Sequence, residues 1–156
     1  MRKWLVVTFA AIFMPNIAFT AEDEIYGTYK LISTSQKVVA TGEIVTLATE
    51  QGFITYGRDG RMMVVITRGV RPKAETFDKM TTQDRVALFD SMTAYAGTFK
   101  FDGKTLEHNV DISWTGTTQI REVTRDGERL SISTRPQPSP RDGRISITTL
   151  VWEKVK

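Results

Sequence analysis

The sequence predicts an all-β chain: an antiparallel up-and-down barrel of about eight to ten strands with one short helix. Three observations point there. Four Asp-Gly pairs, Asp59-Gly60, Asp102-Gly103, Asp126-Gly127 and Asp142-Gly143, fall where hairpins would turn, and the left-handed backbone of a tight hairpin turn favours that dipeptide. The flanking stretches alternate apolar and polar residues with a period of two, the rhythm of a strand with one buried face. A single segment breaks that rhythm with helical spacing. An open meander leaves two sheet edges exposed, and closure into a barrel removes them; a two-sheet sandwich is the alternative packing of the same strands.

The elements follow in order. A first strand covers residues 25–33, and residues 36–47 hold one or two short ones. Residues 52–57 and 61–67 flank the first Asp-Gly, 94–101 and 104–114 the second, and 117–125 and 128–134 the third. Residues 114–117 (Trp-Thr-Gly-Thr) make a further turn. A loop with Pro136, Pro138 and Pro140 precedes the fourth Asp-Gly and the last strand, residues 144–155. The helix starts at Thr81, with Asp84 three residues on as in a capping box, and Val86, Leu88, Phe89 and Met92 form its apolar stripe.

Composition sets the scale. The chain has 156 residues, 40% apolar and 25% charged, a globular balance that suffices for one domain. It has no cysteine and one histidine, which excludes disulfides, thiolate zinc sites and cysteine nucleophiles. Residues 1–21 carry Arg2-Lys3, an apolar run over residues 4–14 and then Pro15. That is the pattern of a cleavable signal peptide, too short to span a bilayer. The expected mature chain is residues 22–156, exported to the periplasm or secreted, without an integral membrane segment. Setting Arg2 and Lys3 aside lowers the formal charge from +3 to +1. No concentrated basic face remains, so nucleic acid is not an expected partner.

The residues also resemble a known family. Gly27-Thr28-Tyr29-Lys30-Leu31-Ile32-Ser33 is similar to the opening Gly-Thr-Trp-x-Leu-Val-Ser of the bacterial lipocalin-like domain family, with Tyr29 in place of the usual Trp. Gly52-Phe53-Ile54-Thr55-Tyr56 with Asp59-Gly60-Arg61-Met62 resembles its second block, and Ala94-Tyr95-Ala96-Gly97-Thr98-Phe99 with His108-Asn109-Val110 its central block. Gln119-Ile120-Arg121, Leu130 to Thr134 and Leu150-Val151-Trp152-Glu153 resemble the last blocks. The resemblance covers residues 25–155 in order and implies a lipocalin-like barrel with an interior cavity. It implies no single activity; related barrels include small-molecule cyclases.

Candidate site residues follow from strand alternation. Leu106, His108, Val110, Ile112 and Trp114 share a face opposite Glu107, Asn109, Asp111 and Ser113, which turns the only histidine toward the lumen. Such a histidine is either a hydrogen-bonded core residue or a ligand contact. Gln119 and Arg121 share a face of the next strand. Inward, Arg121 needs a carboxylate, waters or an anionic ligand; outward, it pairs with Glu107 or Glu128. Tyr95 and Phe99 alternate on one face, and Tyr29 and Tyr56 lie on the inner-facing pattern of their strands. An eight-strand barrel is just wide enough to hold side chains or one small ligand. Arg58, Arg61, Arg68 and Arg71 cluster as either an anion-attracting rim or a solvated face. No hydrolase elbow, phosphate loop or zinc motif is present, and Asp78 and Asp84 lack metal-ligand spacing.

The first expectation is a binding module for a small hydrophobic or amphipathic molecule. Tyr29, Tyr56, Tyr95, Phe99 and Trp114 would form its walls, and His108, Gln119 and Arg121 would orient the ligand. No cofactor or metal is called for. The alternative is a cofactor-free isomerase or cyclase, with His108 as general acid or base and Arg121 stabilising negative charge. A second alternative is a protein-interaction module whose lumen is filled by its own core.

Overall fold

A computed structural model describes residues 25–47, 50–113 and 117–156. The expected signal peptide lies outside the described residues. The strands are β1 (Gly27–Val38), β2 (Ile44–Leu47), β3 (Glu50–Tyr56), β4 (Arg61–Arg68), β5 (Met92–Phe101), β6 (Thr105–Ile112), β7 (Thr118–Asp126), β8 (Arg129–Thr134), β9 (Gln137–Pro138) and β10 (Ile145–Lys154), with α1 (Thr82–Asp90) before β5. Every pairing is antiparallel, and β1 pairs with β10 to close eight strands into a barrel. β2 pairs with the far half of β1 beyond β3, and β9 pairs with the start of β10. The barrel, not the sandwich, is the fold.

The Asp-Gly pairs sit in the turns that the sequence assigns to them, and each of their glycines has a positive φ, between 58° and 97°. Three of the aspartates also turn back on the backbone. Asp59 accepts from the Arg61 N–H, Asp102 from Lys104 and Thr105, and Asp142 from Arg144. The backbone donors hold the Asp102 carboxyl below the usual range, and the Arg144 side chain, followed by its backbone N–H, does the same for Asp142, since donors to the charged form stabilise it.

Two bulges re-aim side chains. In β1 the register slips between Leu31 and Ser33, so the inward series runs Tyr29, Leu31, then Thr34, Gln36 and Val38. In β6, Val110 opposes Gly97 while Ile112 opposes Ala96, leaving Asp111 as the extra residue. Beyond it Ile112 turns to solvent, 63% exposed, which corrects the expectation that it shares the lumen face of His108. Gly97 permits this close approach, because a Cβ there would overlap the Asn109 carbonyl oxygen.

The helix begins as its sequence predicts. Thr81 and Asp84 form a reciprocal capping box, and those bonds lower the Asp84 pKa. Its stripe does not make a buried face: α1 has no buried residue, Val86 and Phe89 are exposed, and Met92 starts β5. The helix lies at one end of the barrel. Arg71 ties its C-terminal end down by donating to the Leu88 carbonyl and to Ser91 Oγ.

The core fills the opposite end. Ile25 belongs to one cluster with Tyr29, Tyr56, Phe99, Phe101, Leu106 and Leu130, all buried. Tyr56 packs edge-on against both Phe99 and Tyr29, at centroid distances of 4.9 and 6.4 Å. Such pairs add to the area they bury.

Candidate functional site

Above this core the barrel is hollow. A cavity of about 960 Å³ opens at the α1 end, at the upper end of the size range for small-molecule sites. Ile54, Val64, Ile66, Ile132, Leu150 and Trp152 give it an apolar wall; Phe89 and Asp90 of α1 stand at its mouth with Arg68 and Arg141. The lumen is thus filled in one half and open in the other.

Polar groups converge on one side of this cavity. His108 is 1% exposed and sits between two phenols: its Nε2 is 3.0 Å from the Tyr56 hydroxyl and its Nδ1 is 3.4 Å from the Tyr95 hydroxyl. The neighbouring strand supplies Gln119, whose backbone opposes His108, and Arg121 two residues on. Arg121 Nη2 donates to Gln119 Oε1 at 2.6 Å and Nη1 donates to the Ile120 carbonyl at 3.3 Å, and the guanidinium charge acts on the Tyr95 phenol beside it. Among the described residues no carboxylate pairs with Arg121.

These surroundings set protonation states. Burial, then the charge of Arg121, lowers the His108 pKa to about 3, so its imidazole is neutral at physiological pH. Burial raises the Tyr56 pKa well above its ordinary value, and raises that of Tyr95 against the opposing pull of Arg121. Both phenols keep their protons.

The sequence candidates therefore divide. Tyr95, His108, Gln119 and Arg121 come together on the cavity. Tyr29, Tyr56 and Phe99 pack in the core beneath it and do not line it. Trp114 lies outside the described residues. Arg121 faces inward, pairing with neither Glu107 nor Glu128. The four clustered arginines part company: Arg61 pairs with Asp111, Arg68 with Glu50, Arg71 holds α1, and Arg58 lies over the Tyr26 ring. No His/Asp/Glu group able to hold a metal ion occurs among the described residues.

Sequence reasoning missed the far wall. Thr34 and Gln36, both buried, line the cavity together with Thr134 and Thr148; Thr134 Oγ1 accepts from the Thr148 N–H at 3.0 Å. The β1 bulge hid Thr34 and Gln36, because uninterrupted alternation from Tyr29 points Ser33 and Ser35 inward instead. Trp152 was recoverable, since alternation along β10 puts Ser146, Thr148, Leu150 and Trp152 on one face.

Residues 26–155 match the profile of a family described as the lipocalin-like domain. No curated protein matches the chain.

Proposed function

Because the chain belongs to the lipocalin-like domain family, we propose that it binds one small, largely apolar molecule bearing a polar or acidic group inside the barrel. The observation that carries this reading is the open upper half of the lumen, with its apolar wall and a single side of converging polar groups. Apolar enclosure supplies affinity, while a few fixed polar groups select orientation. Leu150 and Trp152 would pack against the body of the ligand, and Tyr95, Gln119 and Arg121 would meet its polar end. Export through a signal peptide at residues 1–21 belongs to the same proposal, supported by the basic start and apolar run; mass spectrometry of the N-terminus of secreted material tests it.

Titration with the neutral dye N-phenyl-1-naphthylamine tests the binding reading. Saturable fluorescence with one site per chain is expected, weakened by about tenfold or more in Leu150→Trp, which puts an indole into the cavity. Absence of saturable binding, or indifference to Leu150→Trp in a folded variant, would sink it.

An isomerase or cyclase acting through His108 gains less support. His108 and Arg121 do share the cavity, but both ring nitrogens of His108 are engaged by tyrosines, and a pKa near 3 makes it a weak base. An interaction module has one observation in its favour: Phe53, Met63 and Val65 are exposed on the adjacent strands β3 and β4, and Ile112 is exposed on β6 beyond β5. It leaves the cavity without a role.

A further inference from the structure

Building on that binding reading, we infer that the cavity selects a head group which only accepts hydrogen bonds and carries one negative charge, a carboxylate, seated at Tyr95, Gln119 and Arg121. The direction of the hydrogen bonds carries the argument. Tyr56 is buried, and among the described residues its hydroxyl has one hydrogen-bond partner, His108 Nε2. A buried phenol with one partner spends its proton there, because an O–H with no acceptor costs more than an idle lone pair. Nε2 therefore accepts. A neutral imidazole has one N–H, so the proton resides on Nδ1.

Nδ1 faces the Tyr95 hydroxyl, whose oxygen then accepts from it. Arg121 has only donors, so the guanidinium beside that hydroxyl cannot take its proton either. With Nδ1–H donating and Arg121 offering no acceptor, the Tyr95 proton turns to the cavity. The same logic orients Gln119. Its Oε1 accepts from Arg121 Nη2, which leaves the amide NH₂ as the group it offers elsewhere. Tyr95, Gln119 and Arg121 thus present donors and no acceptor, with one positive charge that no carboxylate among the described residues offsets.

An alcohol or amine head would face donors with a proton of its own to place, and it would leave the guanidinium unpaired. A carboxylate places no proton and balances one charge. Across the cavity, Thr34 Oγ1 is the one buried side-chain oxygen without a partner among the described residues. It is a second open contact for a polar atom on the ligand.

Two measurements test the inference. The single histidine gives one imidazole in an ¹⁵N-histidine spectrum, so a long-range ¹H–¹⁵N correlation reads its tautomer directly. The expected result is a protonated, pyrrole-type Nδ1 and a pyridine-type Nε2; the reverse overturns the donor-only arrangement. The second compares 11-(dansylamino)undecanoic acid with 11-(dansylamino)undecan-1-ol. The acid is expected to bind about tenfold or more tightly, with the preference lost in Arg121→Gln. The preference also falls in Tyr56→Phe, which alters no cavity-lining residue but frees the tautomer. Equal binding, or tighter binding of the alcohol, overturns the head-group inference while leaving cavity binding intact. Failure of both probes together with N-phenyl-1-naphthylamine overturns the cavity reading itself.

Discussion

Acidification is expected to destabilise this barrel through His108 well before its carboxylates protonate. The pKa of the folded ring is about 3 against an ordinary 6.5 in the unfolded chain. A depressed folded value means that the stabilisation is present above pH 6.5 and is lost as pH falls toward 3. At pH 5 the unfolded ring is almost wholly protonated while the folded one is neutral, which favours unfolding by about 2 kcal/mol relative to pH 8. The phenols around the ring do not compete: Tyr56 and Tyr95 stay neutral across that range. Urea unfolding at pH 8 and pH 5, at constant ionic strength, is the assay. With a slope of about 1–3 kcal/mol per M, the midpoint falls by about 1 M in the wild type. In His108→Gln most of that pH dependence disappears, since no other histidine exists. Identical pH dependence in both proteins would refute the reasoning. So would an NMR titration of the wild-type ring that centres near its ordinary value, a readout that does not depend on the variant folding.

Other consequences are local. Gly97→Ala forces a methyl into the Asn109 carbonyl at the β6 bulge and should cost about 2 kcal/mol or more in urea unfolding; a neutral result would mean the strands are not so close. Thr34→Val removes an unpartnered buried hydroxyl and should stabilise the ligand-free chain by about 1 kcal/mol in the same assay, whereas destabilisation would show that the hydroxyl has a partner. Arg71→Ala cuts the bonds to Leu88 and Ser91, so hydrogen exchange should speed up in residues 82–90 while β3 and β4 stay protected. Unchanged helix protection would contradict the role given to Arg71.

Most of the barrel was legible because its signals are local. An Asp-Gly pair specifies a turn within four residues, and alternation specifies a strand within six or so. The Thr81–Asp84 cap was readable for the same reason. What escaped depends on contacts distant in sequence. The β1 bulge is set by pairing with β10, more than a hundred residues away, and it decides that Thr34 rather than Ser33 faces the lumen. The β6 bulge is set against β5, and it sends Ile112 outward. Alternation placed His108 inside and set Gln119 and Arg121 on one face without deciding which way that face turns, because neither face of their strand is clearly apolar. The depth at which side chains stop filling a barrel is likewise a property of its whole girth. That is why Tyr29, Tyr56 and Phe99 belong to the packed half while Tyr95 reaches the open one. The apolar stripe of α1 is readable as spacing, yet nothing in spacing shows that it has no surface to pack on.

Backbone NMR of the ¹⁵N-labelled chain, titrated with 11-(dansylamino)undecanoic acid, tests most directly whether a ligand enters the open half of the barrel head-first toward β7. The expected result is saturable shift changes concentrated at Tyr95, Gln119, Arg121, Leu150 and Trp152, with Phe53, Met63 and Val65 on the outer face unmoved. Changes confined to that outer face, or none at saturating probe, would contradict the account.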